Sequence, residues 1–543
     1  MLGLMMDTPL LITEIMQFAE KNYAEREIVS VTCDQPRHCT TWGEIFRRAR
    51  KLANALAAAG VRPGDRVGTI AWNDYRHLEL YYAVSCMGAV LHTLNPRLFP
   101  EQLEFIVNHA EDKLLFVDPT LLPAIAPLQG KTPSVQRTVV MTDAATMPPA
   151  VAGKMQDYES FISGHPETYD WPVLDERTAS SLCYTSGTTG NPKGVLYSHR
   201  STVLHAYAGC MADSMNLSAG DCVLAVVPMF HANAWGLPYN VPMTGARLVF
   251  PGPRMGDPAT LHRLLNEERV TLAAAVPTVW TMLLNHLQQT GGKLETLERT
   301  LIGGSAVPLQ MIRDFRDRHG VTVVQGWGMT EMSPLGTVST LRPEQLQLPE
   351  EEQVLLRGKA GHGIFGVAMR IVDESGKELP WDGVSTGELQ VRGPWVCKSY
   401  FRLDVSPSHG ADGWFATGDV AAIHPNGFLQ ITDRAKDVIK SGGEWISSVD
   451  LENCACGHPD VLMAAAIGVK HPKWDERPVL VVVPRPNCSP QPESILQHLA
   501  QHFAKWQLPD TIVFAEALPL TATGKINKRT LRDTYGQVLM EQA

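Results

Sequence analysis

An eleven-residue run of glycines, hydroxyl side chains and one lysine is the segment of this chain best suited to chemistry. It reads YTSGTTGNPKG and covers residues 184–194. Glycines let a backbone turn tightly and approach a ligand closely. Backbone N–H groups and hydroxyls can then surround phosphate oxygens, while Lys193 supplies a compact positive charge. The run predicts a phosphate-binding loop, although not the common GxxxxGK[ST] loop, because Gly194 follows Lys193; a surface turn is the alternative.

Five further segments carry residues suited to the same chemistry. They are PMFHANAW (228–235), QGWGMTE (325–331), TGD (417–419), DRAKDVIKSGGEWIS (433–447) and TATGKI (521–526). Trp327 lies between two glycines, which suits stacking on an adenine ring, although a core aromatic would look the same. Asp419 can accept hydrogen bonds from both hydroxyls of a ribose, and a turn aspartate is the alternative.

The elements that must position these segments alternate between strand and helix. Thr41 and Glu44 form a capping-box pattern before a helix that Gly60 would end, and a second helix is predicted at 77–87. Apolar strands are predicted at the following ranges: 67–71, 89–94, 113–118, 271–276, 300–302 and 321–324. Such alternation predicts parallel sheets covered by helices, with ligands at the loops beyond the strand C-termini. Residues 303–305 and 325–328 are predicted to be two of these loops.

The C-terminal part of the chain has a different pattern. Two strand-like segments, GELQVR (387–392) and GFLQIT (427–432), predict a β-rich subdomain. About 110 residues with their own helix and strand signals follow, which is close to the commonest domain size. The sequence therefore predicts an α/β fold with a large N-terminal domain (1–433) of helix-covered parallel sheets and a β-rich subdomain, and a small α+β C-terminal domain (434–543).

Composition narrows the class of protein. The 543 residues are 44% hydrophobic and 19% charged, with a net charge of −10 and no basic block, which argues against a nucleic-acid partner. No apolar stretch approaches the ~20 residues of a membrane span, and the N-terminus lacks the basic region of a signal peptide. The ten cysteines form no CxxC pair, so we expect reduced thiols in a cytoplasmic protein and no zinc site.

Together the six segments resemble the AMP-forming acyl-CoA synthetases. The match is closest to the fatty-acyl branch, in which KSGGEWIS and HPKWDERP (471–478) have near equivalents. The resemblance implies a ligase that uses ATP and Mg²⁺ to convert a medium- or long-chain fatty acid into an acyl-adenylate, and then transfers the acyl group to coenzyme A. A small C-terminal domain that moves between the two steps is also implied.

The resemblance assigns roles to residues of this chain. Lys525 would bridge the acyl carboxylate and the ATP phosphate, Thr185 and Glu331 would hold Mg²⁺, His231 would close the substrate site, and Trp235 would gate the acyl tunnel. Other possible tunnel walls are Tyr239, Val276, Pro277, Trp280 and Leu335. The remaining residues would bind ATP or its adenylate: Thr185, Ser186, Gly187, Thr188, Thr189, Lys193, Gly304, Ser305, Gln325, Gly326, Trp327, Gly328, Met329, Thr330, Asp419, Arg434, Lys436, Lys440 and Trp445.

Two of these positions belong to the second half-reaction. Lys436 would be the hinge about which the C-terminal domain rotates, and Lys440 and Trp445 would then contact the adenylate. The segment 441–443 would border the pantetheine channel, with a hairpin turn as its alternative. One departure from the family is Leu520, where a basic residue is common. Lys525 itself is predicted on an exposed turn.

Other functions stay open at this point. The same chemistry could act on a short or sulfur-bearing acid such as 3-methylthiopropionate, or transfer the acyl group to a carrier protein. A luciferase-like oxygenase and a non-enzymatic adenylate-binding protein are more distant alternatives. Relatives in the fatty-acyl branch also predict a possible homodimer.

Overall fold

The computed structural model describes residues 1–185, 191–441, 444–471, 474–521 and 524–540, and for Trp445 the backbone only. The β-strands in these residues are β1 Glu27–Ser30, β2 His38–Thr41, β3 Arg66–Ile70, β4 Val90–Thr93, β5 Asp112–Val117, β6 Arg137–Val140, β7 Gln156–Asp157, β8 Ala179–Tyr184, β9 Gly194–Ser198, β10 Cys222–Ala225, β11 Arg247–Phe250, β12 Leu272–Ala275, β13 Arg299–Gly303, β14 Thr322–Gly328, β15 Leu335–Val338, β16 Gly361–Gly363, β17 Ala368–Val372, β18 Gly387–Arg392, β19 Phe415–Ile423, β20 Phe428–Arg434, β21 Ile439–Ser441, β22 Glu444–Ile446, β23 Val461–His471, β24 Asp475–Pro484 and β25 Thr511–Phe514.

The α-helices in the same residues are α1 Ile12–Tyr23, α2 Trp42–Ala58, α3 Tyr75–Cys86, α4 Pro100–Ala110, α5 Leu122–Ile125, α6 Tyr158–Ile162, α7 His199–Cys210, α8 Leu237–Thr244, α9 Pro258–Glu267, α10 Pro277–Thr290, α11 Leu309–His319, α12 Glu350–Arg357, α13 Ser448–Ala455, α14 Pro492–Leu499 and α15 Lys528–Tyr535. The predicted start of α2 is confirmed, because the Thr41 hydroxyl accepts a hydrogen bond from the Glu44 N–H at 3.3 Å. Gly60 follows this helix with φ at +89°, which a glycine adopts at little cost.

The strands in the described residues form three sheets. A seven-stranded sheet, in the order β7-β6-β5-β3-β4-β8-β9, is parallel except for its antiparallel edge strand β9. A thirteen-stranded sheet runs β17-β18-β19-β20-β16-β15-β14-β13-β12-β10-β11-β1-β2. Its neighbouring strands β14, β13, β12, β10, β11 and β1 are all parallel to one another. The helix α3 packs beside the cores of both sheets. A five-stranded sheet of β21 to β25 forms the core of the C-terminal domain with α13 and α14.

The predicted α/β fold, with helix-covered parallel sheets and a β-rich subdomain, is confirmed. Beyond β14 the thirteen-stranded sheet becomes antiparallel, in the neighbouring pairs β14–β15, β15–β16, β16–β20, β19–β20, β18–β19 and β17–β18. This antiparallel half contains the β-rich subdomain predicted from the sequence.

The glycine-rich segment 325–328 differs from its prediction. It was predicted as a loop, yet it forms the end of β14 and pairs with β15 through Gly326 opposite Val338 and Trp327 opposite Thr337. A Cβ added at Gly328 would lie 1.9 Å from the Pro334 carbonyl oxygen, so only glycine permits this close approach. The pairing of β14 with β15 therefore holds Gln325 and Trp327 in place. The other predicted loop is correct from Gly304 onward, since β13 ends at Gly303.

The boundary between the two domains, placed after 433 from the sequence, stays a prediction. The last strand of the thirteen-stranded sheet ends at Arg434, and the five-stranded sheet begins at Ile439. Among the helices in the described ranges, none is long and apolar enough to cross a membrane.

Candidate active site

A cavity of about 2540 Å³ lies between the large domain and the C-terminal domain. It collects predicted site residues from segments that are far apart in the chain. Those that line it are Thr185, Lys193, His231, Trp235, Gly304, Ser305, Gln325, Gly326, Trp327, Gly328, Met329, Thr330, Glu331, Asp419, Arg434, Lys436 and Lys525. Ser186, Gly187, Thr188 and Thr189 lie outside the described residues, as does the side chain of Trp445. The structure thus brings together most of the positions that the sequence selected.

One corner of the cavity joins an indole, a carboxylate and a guanidinium. The Trp327 indole N–H donates to Asp419 Oδ2 at 3.0 Å, and Arg434 Nε lies 2.8 Å from Oδ1. Asp419 and Arg434 are also register partners on β19 and β20. Burial raises the pKa of Asp419, while Arg434 and Trp327 oppose that rise. Each carboxylate oxygen keeps a second lone pair, so this corner can still accept hydrogen bonds from a ribose.

Gln325 fixes the loop beside this corner. Its side-chain oxygen accepts a hydrogen bond from the Val307 N–H at 3.1 Å, and its backbone N–H donates to the Ser339 hydroxyl at 2.7 Å. The segment that contains Gly304 and Ser305 is thereby tied to β14. Its position at the cavity wall follows from these contacts.

The base of the predicted phosphate loop is closed by two hydrogen bonds between its ends. The Thr185 N–H donates to the Lys193 carbonyl at 2.9 Å, and the Lys193 N–H donates to the Thr185 hydroxyl at 3.3 Å. The antiparallel pair β8 and β9 leads into and out of this base. The two ends of the predicted loop are therefore held together at the end of an antiparallel strand pair.

Glu331 is a buried carboxylate at the cavity wall. Tyr400, which the sequence analysis missed, donates its hydroxyl proton to Glu331 Oε1 at 2.8 Å. Tyr400 also lies under the ammonium of Lys193, whose Nζ is 4.8 Å from the ring centroid. The sequence carries no local signal for this residue, because it is 69 positions from Glu331 and belongs to none of the six segments.

Lys525 lies against the large domain, which corrects the expectation of an exposed turn. Its turn is held by α10, since the Thr278 hydroxyl donates to the Gly524 carbonyl at 3.3 Å. A Cβ added at Gly304 would lie 3.5 Å from Lys525 Cε and 3.3 Å from Val276 Cγ1. Burial, together with the charge of Arg434, lowers the pKa of Lys525 to about 8 against the opposing effects of Asp419 and Glu331.

His231 and Trp235 flank a left-handed turn. Ala232, Asn233, Ala234 and Trp235 have φ between +45° and +57°, and Gly236 has φ at +86°. Left-handed geometry costs roughly 1–2 kcal/mol for each non-glycine residue, so the surrounding structure must hold it. It directs the Trp235 ring to the end of β13, 3.2 Å from where a Cβ on Gly303 would lie.

Asn233 supplies much of this support. Its side-chain amide donates to the Ser181 hydroxyl at 2.9 Å and its oxygen accepts from the Tyr81 hydroxyl at 3.2 Å. Burial lowers the pKa of His231 to about 4, with Lys525 acting in the same direction, so the imidazole is neutral near pH 7. A neutral ring can approach a carboxylate or carbonyl as a single hydrogen-bond donor.

The turn gives a stability prediction with a matched control. Gly236 and Gly60 have nearly equal φ of +86° and +89°, but a Cβ at Gly236 would lie 2.8 Å from His205, whereas nothing lies within 4 Å at Gly60. We expect Gly60→Ala to cost about 1–2 kcal/mol of stability. Gly236→Ala should cost about 1–3 kcal/mol more because of overpacking. Thermal unfolding of both variants checks this, and equal midpoints would contradict it.

Three of the five further tunnel candidates line the cavity, namely Val276, Pro277 and Leu335. The other two are core residues, which corrects that part of the prediction. Tyr239 and Trp280 are 1% and 0% exposed and pack within the two largest hydrophobic clusters, because α8 and α10 turn those side chains toward the sheets.

Lys440 does not line the cavity in this structure. It lies exposed on β21, and its backbone N–H donates to Glu476 Oε2 at 3.0 Å. β21 and β22 pair in antiparallel fashion, while Gly442 and Gly443, for which a hairpin turn is the alternative prediction, lie outside the described residues. The domain orientation thus presents Lys525, and not Lys440, to the site.

Comparison with known proteins identifies the family of this chain. A family model for the AMP-binding enzymes matches residues 17–401, and a model for the AMP-binding enzyme C-terminal domain matches residues 450–525. A 3-methylmercaptopropionyl-CoA ligase of Ruegeria lacuscaerulensis is 52% identical over 543 residues, which cover 99% of this chain and 100% of that protein. A medium-chain-fatty-acid–CoA ligase of Ectopseudomonas oleovorans is 49% identical over 548 residues, with 100% and 99% covered.

A solved structure agrees on the fold. The anthranilate CoA ligase AuaEII in complex with anthranoyl-AMP superposes with a TM-score of 0.88, covering 98% of this chain and 99% of that one. At 23% sequence identity, this similarity establishes a shared fold only. With both domains matched by family models and with acyl-CoA ligases as relatives at 49–52% identity, the chain belongs to the AMP-binding enzyme family.

Proposed function

We propose that this protein is an AMP-forming ligase that joins a carboxylic acid to coenzyme A at the expense of ATP. The observation that carries the proposal is the convergence of Lys525, Glu331, Asp419 and the phosphate-loop lysine Lys193 on one cavity between two domains. ATP fits this site, since it needs a ribose acceptor, phosphate-binding cations and glycine-lined space near the backbone. Thr185 and Glu331 would hold Mg²⁺, and both offer the hard oxygen ligands that this ion prefers.

The environment of Glu331 supports the metal assignment. Among the described residues, no lysine, arginine or histidine nitrogen lies within 4.0 Å of its carboxylate. A carboxylate that is 6% exposed normally has a cationic partner, and here it faces the cavity without one. A bound Mg²⁺ would supply that charge and partly neutralise the phosphates as pyrophosphate leaves.

Lys525 would guide the first half-reaction. An oxygen of the acyl carboxylate forms a bond to the α-phosphorus of ATP, and the bond from that phosphorus to pyrophosphate breaks. Both reactants are anions, so an ammonium that contacts the carboxylate and a phosphate oxygen lowers the repulsion between them. Arg434 and the Trp327–Asp419 pair would hold the nucleoside while the chain of phosphates is in line.

The second half-reaction needs a different arrangement in the same cavity. The thiol sulfur of coenzyme A bonds to the acyl carbon, and the bond to AMP breaks. In this proposal the C-terminal domain turns about Lys436, which is exposed in the short connection between β20 and β21. The turn withdraws Lys525 and brings Lys440 and Trp445 to the adenylate.

The acyl substrate in this proposal is a medium- to long-chain fatty acid, with 3-methylmercaptopropionate as the second candidate. Trp235, Val276 and Leu335 give the cavity an apolar wall for either. The named substrates of the relatives at 52% and 49% identity favour the two candidates almost equally. In this proposal a short acid would occupy only the part of that wall next to His231.

Product analysis tests the function. The protein is mixed with ATP, Mg²⁺, coenzyme A and acids from acetate through 3-methylmercaptopropionate and octanoate to palmitate. We expect AMP, pyrophosphate and an acyl-CoA to appear together, with the fastest acid identifying the substrate. Pyrophosphate without a thioester would point to a carrier protein as acceptor, and no reaction with any acid would contradict the proposal.

The pKa of Lys525 gives a pH dependence. The first half-reaction needs the ammonium form, which is lost as pH rises through about 8. We therefore expect kcat/KM for ATP to be level below pH 7 and to fall roughly tenfold for each unit well above the pKa. ATP–pyrophosphate exchange measures this without coenzyme A, whose thiol ionises in the same range. A level profile up to pH 10 would contradict the role of Lys525.

The proposal also places the enzyme in the cytoplasm as a homodimer. All ten cysteines are free thiols in the structure, which agrees with a reducing compartment. The dimer follows the fatty-acyl branch that the sequence resembles. Light scattering on the purified protein and fractionation of the source cells test these two statements.

A further inference from the structure

One short segment outside the six motifs contacts both the phosphate loop and Glu331. The Cys397 N–H donates to the Glu331 carbonyl at 2.8 Å, and the Tyr400 hydroxyl donates to Glu331 Oε1 at 2.8 Å. The next residue, Phe401, donates its N–H to the Gly194 carbonyl at 2.8 Å. The segment 397–401 therefore fixes the backbone of both motifs and one carboxylate oxygen.

Tyr400 lies where the two motifs face each other. Its ring supports the Lys193 ammonium at 4.8 Å from the centroid, while its hydroxyl is bonded to Glu331. The ring itself is held by an edge-to-face contact with His409, at 5.4 Å between centroids. In the described part of the chain, Lys193 and Glu331 form no ion pair within 4.0 Å.

Separation of these two charges matters because they attract each other. An ammonium and a carboxylate at the wall of a partly dry cavity would pair if nothing lay between them. Such a pair would occupy the metal ligand and the phosphate ligand at once. An aromatic face offers the ammonium an alternative position of moderate strength, from which phosphate oxygens can readily draw it.

We propose that Tyr400 is a positioning residue that keeps Glu331 and Lys193 apart and ready for Mg²⁺ and phosphate. The hydroxyl is bonded to Oε1, so Oε2 would remain available to hold the metal, and the ring holds the lysine. This inference rests on the proposed function, because it takes Glu331 as a metal ligand and Lys193 as a phosphate ligand.

Calorimetric titration of ATP into the full chain, with and without Mg²⁺ and with no acid or coenzyme A present, tests it. For wild type we expect Mg²⁺ to tighten ATP binding. Tyr400→Phe keeps the ring and loses the hydrogen bond to a charged group, so the Mg²⁺-dependent gain should shrink roughly tenfold. Its affinity for ATP without Mg²⁺ should stay unchanged, because Lys193 keeps its support.

Tyr400→Leu removes the ring as well. Lys193 can then pair with Glu331, so ATP affinity should fall both with and without Mg²⁺. Tyr197→Phe is the matched control, since the Tyr197 hydroxyl donates to the carbonyl of Thr330, next to Glu331, at 2.6 Å. It should lower the melting temperature and leave the Mg²⁺-dependent gain as in wild type.

The outcomes separate the inference from the function on which it rests. Three results would each overturn the role of Tyr400. They are a Mg²⁺-dependent gain in ATP affinity in Tyr400→Phe that equals that of wild type, a loss of this gain in Tyr197→Phe as large as in Tyr400→Phe, and ATP binding by the wild-type protein that does not depend on Mg²⁺. If Tyr400→Phe does not fold, Tyr400→Leu with wild-type binding in both conditions overturns it as well. The expected pattern in a protein that forms no acyl-CoA would support Tyr400 and reject the ligase.

Discussion

Replacement of Lys525 by alanine should reduce adenylate formation roughly 10²- to 10³-fold, the loss typical when one preorganised donor is removed from a transition state. Thioester formation from preformed acyl-adenylate should stay within a few-fold of wild type. The reason is the geometry of the observed orientation, in which Lys525 lies between Gly304 and the α10 end of the large domain. Pyrophosphate release and single-turnover thioester formation measure the two steps separately.

Lys440→Ala is the reciprocal control for this prediction. Lys440 is exposed on β21 and does not line the cavity in this orientation, so adenylate formation should be close to wild type. Thioester formation should be the slower step in that variant. If both alanine variants lose both steps equally, the assignment of one lysine to each orientation is wrong.

The second large effect is expected for Glu331→Gln. The substitution keeps the shape and the acceptor oxygen for Tyr400 but removes the charge that would hold Mg²⁺. We expect ATP–pyrophosphate exchange to fall about a hundredfold at low Mg²⁺ and to recover in part as Mg²⁺ is raised, because weaker binding is overcome by concentration.

Glu388→Gln provides the matched control. Glu388 also lines the cavity but lies exposed on β18, where the Gln390 side-chain amide donates to its Oε2 at 3.3 Å. It should change neither the rate nor the Mg²⁺ dependence. An unchanged Mg²⁺ curve for Glu331→Gln would remove Glu331 from the metal site.

Much of the site could be predicted because its residues lie in short segments whose composition has a local meaning. The glycines and Lys193 suit a phosphate, and Asp419 and Trp327 suit a nucleoside, and the six segments taken together favour this interpretation over the turn and core alternatives. The predicted parallel strands were also recovered to within a few residues at β3, β5, β12 and β13, since buried apolar runs are a local signal.

The parts that could not be predicted depend on contacts between distant segments. Tyr400 acquires its position only when the segment 397–401 packs against β9 and Glu331. The strand β14 continues through Gly328 because β15 pairs with it, although glycine composition alone favours a loop. Likewise, Asn233 maintains the left-handed turn at 232–236 through its contacts with Ser181 and Tyr81. The two alanines and Trp235 in this turn are residue types that rarely adopt a positive φ.

The position of Val276 affects how the enzyme would discriminate among acids. It lines the apolar wall, and Cβ atoms placed on Gly304 and Gly524 would lie 3.3 and 3.5 Å from its two methyl groups. The same side chain therefore touches the space for the acyl chain and the turn that carries Lys525. An ill-fitting acid that pushes Val276 aside would displace the lysine, so discrimination should fall on turnover more than on binding. Poor substrates would then act as competitors that bind to the enzyme and are consumed only slowly.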